Sequence, residues 1–308
     1  MGLAQAKGGR LMDLLLVTGL LAAGIRLGMA IGLAAIGEAA SERSGIFNIG
    51  IEGIMLSAAF VAAWGSVWTG SPWLGIVFAM VIGALLAGFH ALMVLVLRID
   101  QFISGIGMVI FGFGFSSFGA RLTIGTTPTP VPGLSSLDLG ALSRIPLIGP
   151  TLFGQSPLAY IALALAIVTG WVLKRTALGL EIRTCGENAA VAAALAIPVR
   201  TRQTACILFG GVMAGLGGAY LSVVQVNSFV DGMVAGRGFL AIACVMLGRM
   251  RPLAAFAAAL GFGFAEATQI RLQTLYPDLP YQFLVMLPYV AAIAALVIGH
   301  VRRGERPA

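Results

Sequence analysis

Charged residues are scarce in this chain: Asp, Glu, Lys and Arg make up only 10% of its 308 residues. A soluble globular domain carries about 25% charged residues, so the composition excludes that class. Hydrophobic residues make up 59% of the sequence, and its mean hydropathy is +0.98. Apolar runs long enough to cross a bilayer as helices recur along the chain. The sequence therefore predicts an all-α, polytopic helical membrane protein.

Residues that carry catalysis or bind metals are equally few. Lys7 and Lys174 are the two lysines, and neither ends a GxxxxGK[ST] motif, so the chain has no Walker A nucleotide site of its own. Two histidines exclude an HExxH metalloprotease, and no GxSxG motif occurs. The three cysteines form no CxxC pair and have no nearby histidine. We expect no metal, no cofactor and no catalytic residue, and hence not an enzyme.

The net charge of +7 is compatible with nucleic-acid binding, but basic loops on the cytoplasmic side of a membrane explain it better. We therefore expect a lipid bilayer, and no nucleic acid, as the surrounding partner. Lys7 and Arg10 precede the first apolar run, as in a signal peptide. That run continues to Ile36, which is too long for a signal peptide, so we predict a retained first span.

The predicted organisation is a single transmembrane domain, residues 1–308, with about 9–10 membrane segments. The proline-rich stretch 123–157 carries few charges and is predicted to be an ordered extracytoplasmic loop. Five basic residues fall within 174–202, which the positive-inside rule places in the cytoplasm. Membrane spans are predicted at about 11–36, 54–67, 74–97, 102–122, 158–173, 204–226, 253–272 and 283–301, the first of them interrupted by Arg26.

Two glycine-rich polar stretches interrupt the apolar pattern, one in each half: SGIFNIGIEG and DGMVAGRGF. Within a membrane, non-helical backbone occurs where it is buried in protein or lines a wet cavity. Paired broken helices in the two halves of a transporter point to its substrate pathway. Two simpler interpretations stay open: the glycines relieve crowding between helices, or the first stretch is a solvated loop before a helix.

Four residues in these stretches are predicted to belong to the substrate pathway. Phe47 and Asn48 from the first stretch and Phe239 from the second are expected to face a central cavity. Glu52 is also assigned to the pathway, but an unpaired carboxylate at membrane depth is costly. We therefore expect it to pair with Arg26 or Arg43.

The number of predicted membrane crossings, odd or even, decides whether the first stretch must itself cross the membrane. The basic N-terminus favours a cytoplasmic start, and both termini are cytoplasmic only if residues 37–53 cross the membrane as a broken helix. The alternative is an N-terminus outside the cell, against its charge.

An alanine-rich segment, Glu187 to Ile197, lies in the middle of the basic loop. It is predicted to be a short helix that Gly186 opens with a sharp turn and Pro198 ends. Glu187 would place a negative charge at the positive end of the helix dipole. Such a helix is marginal alone in water, so we expect a partner surface to hold it.

Four blocks carry a family resemblance. The blocks and their order resemble the permease subunits of ABC-type importers, in the branch that serves ribose-like sugars, branched-chain amino acids and nucleosides. The resemblance runs from about residue 38 to 272 and is strongest to the shorter permease of nucleoside importers. The blocks are ERSGIFNIGIEGIMLSAAF, ALGLEIRTCGENAAVAAALAIPVRTRQ, FGGVMAGLGGAYL and GRGFLAIACVMLGRMRP.

This resemblance implies a coupling role for part of the basic loop. The residues that match the family's ATPase-contacting loop are Gly186, Glu187, Asn188, Ala189 and Ala190. Many relatives have proline where this chain has Ala189. The resemblance further implies separate ATPase subunits, a second and non-identical permease, an extracytoplasmic substrate-binding protein, and a place in the bacterial inner membrane.

The predicted function is the transmembrane subunit of an importer that moves nucleosides and is powered by ATPase subunits on other chains. A permease for a ribose-type sugar or for branched-chain amino acids is the alternative within the same class. A channel or secondary carrier that works without ATP is a more distant alternative, since it has no need of an ATPase-docking loop.

Overall fold

The computed structural model describes residues 2–125, 130–137, 149–276, 281–286, 290 and 294, and every regular element in them is a helix. The helices are α1 (Gly2–Arg43), α2 (Ile51–Thr69), α3 (Pro72–Ala91), α4 (Gln101–Thr123), α5 (Pro157–Arg175), α6 (Ala177–Glu187), α7 (Ala189–Ala194), α8 (Val199–Ala219), α9 (Arg237–Leu247), α10 (Pro252–Leu275) and α11 (Tyr281–Val285). π-Helical turns follow α3 at Leu92–Val96 and α8 at Tyr220–Gln225, and a third spans Gly149–Phe153.

Within the described residues, seven helices are long and apolar enough to cross a membrane, which confirms the all-α polytopic class. The helix α9 has only 11 residues and is too short to cross by itself. Most of the predicted last span, 283–301, lies outside the described residues, as do parts of the loop 123–157. The seven candidate spans are Val17–Arg43, Ile51–Thr69, Pro72–Val96, Gln101–Thr123, Pro157–Arg175, Val199–Gln225 and Pro252–Leu275.

The chain divides into two compact units. The larger unit comprises residues 30–134 and 161–259, and the smaller comprises 1–29, 135–160 and 260–308. The expectation of a single domain stays a prediction.

The helix α8 is the centre of the larger unit, because small residues let neighbouring backbones approach it closely. Gly211 and Gly215 lie against the backbone of α3 at Gly83 and Ala79, and a Cβ at either glycine would collide with that backbone. These two glycines form a GxxxG pair that lets α8 and α3 pack with their backbones in close contact. On its other side α8 runs antiparallel to α1, with Gly210 beside Gly37 and Gly217 beside Ala30.

In the smaller unit, α1 and α10 pack at a similarly close distance. Gly263 lies against the backbone at Gly24 and Gly28, and the Phe264 ring lies against Gly24. The Gln155 side chain also reaches α1, donating from Nε2 to the Ala22 carbonyl at 3.5 Å.

Several arginines gather at one end of the larger unit, which we call the basic face. Contacts that bring these segments together include Ser44 with Gln203, Phe47 with Gln101 and Gly170 with Leu253. The arginines lie in or directly beside helices whose ends meet there: Arg43, Arg98, Arg175, Arg183, Arg202 and Arg251.

The predicted crossing by residues 37–53 is wrong. Residues 37–43 are the last two turns of α1, and only residues 44–50 separate α1 from α2. Seven extended residues reach at most about 25 Å, which is less than the roughly 30 Å of a hydrocarbon core. The helix break itself is present, as predicted, but it reverses the chain at the basic face.

Candidate functional site

The first break, residues 44–50, is a non-helical turn whose backbone is held by distant side chains. The Phe47 N–H donates to Gln101 Oε1 at 2.8 Å, and Gln203 Nε2 donates to the Ser44 carbonyl at 3.0 Å. The Asn48 N–H donates to Glu38 Oε1 at 2.8 Å. Three helices thus supply the partners that the turn's own backbone lacks, which is what irregular backbone inside a membrane protein requires.

Two carboxyl groups of α1 lie beside the first break. Glu38 and Glu42 are one helical turn apart, with exposed fractions of 1% and 8%. Among the described residues, neither carboxylate oxygen of Glu42 has a hydrogen-bond partner. The buried side-chain oxygen Oδ1 of Asn48 has no partner there either. An unpaired buried acceptor is costly, so such groups are retained where they have a purpose beyond packing.

The second break, residues 226–236, connects the end of α8 to α9. Asn227, Ala235 and Gly236 adopt positive φ, so the chain turns repeatedly and forms no helix there. The Phe229 ring packs edge-on against the Phe60 ring of α2, with 5.8 Å between ring centroids. The Asn227 carbonyl also accepts a hydrogen bond from the Val131 N–H at 3.0 Å.

A carboxylate at the start of α2, directly after the first break, binds the end of the second break and the start of α9. Glu52, in the first turn of α2, accepts hydrogen bonds from the Gly236 N–H at 2.8 Å and from the Gly238 N–H at 2.7 Å, and only 2% of the residue is exposed. The Arg237 guanidinium and the Phe239 backbone also interact with this carboxylate. These N–H groups belong to the N-terminus of α9, where the helix dipole favours a negative charge.

The predicted pairing of Glu52 with Arg26 or Arg43 is wrong. The positive end of α9 satisfies the carboxylate in place of either arginine. Gly238 permits this because a Cβ on it would collide with the Glu52 backbone. The sequence contains the signal, a Gly-Arg-Gly triplet at a helix start, but nothing local pairs that triplet with a glutamate 184 or 186 residues away.

The four predicted pathway residues occupy different surroundings. Asn48 and Glu52 are buried at the first break. Phe47 is partly exposed and lies near the His90 ring, which is itself buried and hydrogen-bonded to Ser104. Phe239 is 47% exposed on α9, and its backbone lies next to the Glu52 carboxylate. The structure thus brings Glu52 together with the backbone of Phe239.

The predicted helix 187–197 is present in a shorter form, and the sequence analysis missed the helix before it. α6 ends at Glu187, and α7 comprises only Ala189–Ala194. Asn188 caps α7: its side chain accepts from the N–H groups of Ala190 at 3.0 Å and Val191 at 3.1 Å. The role predicted for Glu187 at the helix start therefore belongs to Asn188, a preferred capping residue.

The end of α7 also differs from the prediction. Ala196 has a positive φ of 57°, and the Ile197 N–H donates to the Ala192 carbonyl at 3.0 Å. Together with the bond from the Ala196 N–H to the Ala193 carbonyl, this is a Schellman motif. The helix therefore ends before Pro198.

Gly186 has a packing role and does not make the predicted sharp turn. It lies within α6 against the Arg43 carbonyl and the Gly45 backbone, and a Cβ on it would collide with both. The loop 174–202 therefore touches the first break directly. A second connection runs from Gln203 to Ser44, and an ion pair at 2.6 Å between Arg202 and Glu181 joins α6 to α8.

The outer surface of α7 is apolar and open. Ala192 is buried, whereas Val191 and Leu195 are 50% and 65% exposed, and Ala189, Ala190, Ala193 and Ala194 are exposed as well. Such a surface, standing next to several arginines at the basic face, is suited to seat in a groove of a partner protein.

Comparison with known proteins identifies the family. Residues 20–300 match the family described as the permease component of branched-chain amino acid transport systems. The chain is 32% identical over 287 residues to a guanosine ABC transporter permease of Bacillus subtilis, covering 89% of each chain. It is 32% identical over 308 residues to a putative glucose ABC transporter permease of Haloferax volcanii, covering 92% of each.

A third relative is a nucleoside ABC transporter permease of Lactococcus lactis, 32% identical over 273 residues that cover 85% of this chain and 86% of the relative. The family match extends over both breaks and the basic loop, and it agrees with the seven candidate spans. The chain therefore belongs to the ABC transporter permease family described as the permease component of branched-chain amino acid transport systems.

Proposed function

We propose that this protein is a permease subunit of an ATP-driven importer that moves nucleosides across a bacterial inner membrane. Separate ATPase subunits supply the energy, and a second, non-identical permease completes the pathway. An extracytoplasmic binding protein delivers the substrate. The match of residues 20–300 to the permease family carries the proposal. The packing of Gly186, in the basic loop, against the first break at Arg43 and Gly45 supports coupling to an ATPase.

That contact supplies a physical route from the ATPase to the pathway. The short helix α7 exposes an apolar surface for a partner, and α6 leads from it to the first break. Displacement of α7 by the ATPase would move α6 and, through Gly186, press on the turn that carries Phe47 and Asn48. We propose that Gly186, Glu187, Asn188, Ala189 and Ala190 form the coupling segment.

In the pathway, we propose separate roles for the four predicted residues. Asn48 offers a buried, unpartnered oxygen that can accept a hydrogen bond from a substrate amino or hydroxyl group. Phe47 and Phe239 supply aromatic faces on which a base can stack. Glu52 holds the two breaks together.

The nucleoside assignment is supported by the names of two relatives, a guanosine permease and a nucleoside permease. A putative glucose permease at the same identity keeps a sugar as the second candidate substrate.

Reconstitution tests the proposal. The permease is co-expressed with the ATPase, second permease and binding protein of its own organism and placed in liposomes. We expect ATP-dependent uptake of guanosine that exceeds uptake of glucose or leucine, and no uptake when ATP is replaced by a non-hydrolysable analogue. Guanosine uptake that proceeds without ATP would contradict the importer, and faster glucose uptake would favour the sugar alternative.

A further inference from the structure

A narrow cavity of about 480 Å³ lies between α3 and α4 in the larger unit. That volume falls within the roughly 300–1,000 Å³ of sites that hold small organic molecules. The cavity reaches Ile99, in the turn at the basic face, and extends along α4 from Ile103 to Phe111. Of the ten described residues that line it, Ser104 is the one with a polar side chain. A sugar or nucleoside would leave most of its hydroxyl groups unpaired there, so the cavity suits an apolar ligand and not the transported substrate.

The dimensions of the cavity exclude a helix of another subunit. From Ile103 to Phe111 α4 rises about 12 Å, and 480 Å³ spread over that length corresponds to a channel about 7 Å wide. An α-helix with its side chains is about 10–12 Å across, which is too wide to enter. A single hydrocarbon chain is only as thick as an unbranched side chain, so it fits between the two spans.

The apolar side chains around the cavity are left uncovered by the rest of the described chain. Leu85 and Phe89 on α3 are 64% and 52% exposed, and Ile103 and Phe111 on α4 are 66% and 50% exposed. Gly107 leaves the space between them open, since a Cβ at that position would meet no neighbouring element within 4 Å. A ligand with an apolar body would bury these side chains together.

A positive charge lies at the end of the cavity nearest the basic face. Arg98 directly precedes Ile99, is exposed, and forms no ion pair within the described residues. Asp100, the other charged residue of this turn, caps α4: its Oδ1 accepts from the N–H groups of Phe102 at 2.9 Å and Ile103 at 3.2 Å. A ligand in the cavity therefore meets an unpaired cation at one end, which favours an anionic head group.

We propose that this cavity binds one anionic phospholipid of the bilayer, with an acyl chain between α3 and α4 and the phosphate beside Arg98. The proposal requires that the chain lies in a membrane, and it does not depend on which substrate is transported. Its failure and the failure of the nucleoside assignment are therefore separate results.

The lipid would also contact side chains that hold the first break. Ser104, in the wall of the cavity, is hydrogen-bonded through Oγ to His90 Nδ1 at 2.9 Å, and the His90 ring contacts the Phe47 backbone. Met108, in the same wall, lies against Gly50. A bound acyl chain packs against both walls and therefore stabilises this part of the fold.

Lipid titration tests the proposal. The assembled complex of permeases and ATPase is purified in detergent, and binding of phosphatidylglycerol and phosphatidylcholine is measured by native mass spectrometry. Phosphatidylglycerol should bind the tightest site about fivefold more strongly, which corresponds to about 1 kcal/mol for one arginine near the membrane surface. It should also raise the thermal unfolding midpoint of the complex.

Two glycines of α4 give a matched pair of variants. Gly107→Leu fills the cavity without displacing a neighbouring element, so it should abolish both the tight binding and the rise in the unfolding midpoint. Gly114 has the same open space around it but does not line the cavity, so Gly114→Leu should retain both.

A second pair of variants tests the head group. Arg98→Asn removes the charge and introduces a residue that tolerates the positive φ of 58°. It should retain lipid binding but lose the roughly fivefold preference for phosphatidylglycerol. Arg175→Gln removes another arginine of the basic face, at the end of α5, and should keep the preference.

Three results would overturn the proposal. The first is tight binding that Gly107→Leu leaves unchanged, or that Gly114→Leu removes equally, since the lipid would then lie elsewhere. The second is loss of the second permease from the Gly107→Leu complex without a change in bound lipid, which would mean that a protein surface covers the cavity. If Gly107→Leu does not fold, Arg98→Asn decides, and an unchanged preference for phosphatidylglycerol in that variant is the third.

Discussion

Ala196 holds a backbone conformation that alanine disfavours. Its φ of 57° completes the Schellman motif at the end of α7, a position where glycine is the usual residue. Left-handed backbone costs a residue with a Cβ about 1 kcal/mol relative to glycine. We expect Ala196→Gly to stabilise the α7 segment by about 1 kcal/mol, measured as slower amide hydrogen exchange at residues 190–197 in the isolated permease.

Ala193 provides the matched control, since it lies inside the same helix with ordinary helical geometry. Ala193→Gly should destabilise α7 by about 1 kcal/mol and speed exchange in the same amides. If both glycine variants changed exchange in the same direction, the Schellman end would not be what limits this helix.

The Gln101 side chain accepts a hydrogen bond from the Phe47 N–H and so holds the backbone of the first break. Removing its Oε1 leaves the Phe47 N–H without an acceptor in a partly buried site, which costs about 1–3 kcal/mol. We expect Gln101→Ala to lower the thermal unfolding midpoint of the detergent-solubilised permease, whereas Gln101→Glu, which keeps an acceptor oxygen, should lower it less. Equal effects of the two substitutions would mean that this hydrogen bond contributes little.

Among the elements, α7 carries an exposed apolar surface that includes Val191 and Leu195. Ala193 lies on that surface, so a tryptophan there does not disturb the core but blocks a close-fitting partner. We expect Ala193→Trp to leave membrane insertion intact while abolishing ATP-driven uptake and reducing co-purification of the ATPase. Ala193→Ser is the control and should retain both.

Normal uptake with full ATPase retention in Ala193→Trp would show that α7 does not couple the permease to the ATPase.

Glu187→Arg is a second probe of the same segment. Glu187 is exposed and adjoins the Asn188 cap, so reversing its charge should weaken ATPase binding without unfolding α7.

How far the sequence could predict each element depends on the range of the interactions that fix it. The spans follow from long apolar runs, and helix α7 follows from its alanines and its capping residue, although its first residue was misplaced. The sequence analysis does not predict α6, because the stretch 177–187 mixes charged and apolar residues within the basic loop. It forms because Thr176 caps it and Gly179 and Gly186 let it pack against α5 and the first break.

The site was harder to predict than the fold, because its defining contacts join residues far apart in the chain. Asn48 and Glu52 stood out as polar residues in an apolar context, but their partners could not be identified. The sequence predicts a charged partner for Glu52, because the free backbone N–H groups of a distant helix start cannot be recognised as partners before the fold is known. The Gly-Arg-Gly triplet is recognisable only after the fold places it beside α2.

For the molecule as a whole, the orientation in the membrane follows from the basic face. Under the positive-inside rule, we expect its arginines to place that face in the cytoplasm. The helix α1 ends at Arg43, and its segment Val17–Arg43 is long enough to cross a bilayer once, so we expect the residues before Val17 on the side of the membrane opposite to Arg43. The expectation that both termini are cytoplasmic depended on a second crossing by residues 37–53, which the short turn 44–50 rules out.

Single-cysteine labelling tests this orientation. The three native cysteines are buried and free, and burial raises the pKa of the Cys185 thiol, so background labelling of the folded protein should be low. A membrane-impermeant maleimide added outside intact cells should label Ser71→Cys, in the turn between α2 and α3, and Gln5→Cys, near the start of the chain. It should not label Arg98→Cys, in the turn at the basic face, until the membrane is permeabilised.

Each labelling outcome reports on a different step of the argument. Labelling of Arg98→Cys in intact cells would mean that the bundle has the opposite orientation. The helix α7 would then lie outside the cell, where no ATPase can reach it. Protection of Gln5→Cys, with Ser71→Cys labelled as expected, would mean that α1 does not cross as one helix and would restore the need for a further crossing before α2. The basic residues Lys7 and Arg10 oppose the orientation expected here, but they are two charges against at least six at the basic face. Because each contributes a similar bias, the larger group should determine the orientation.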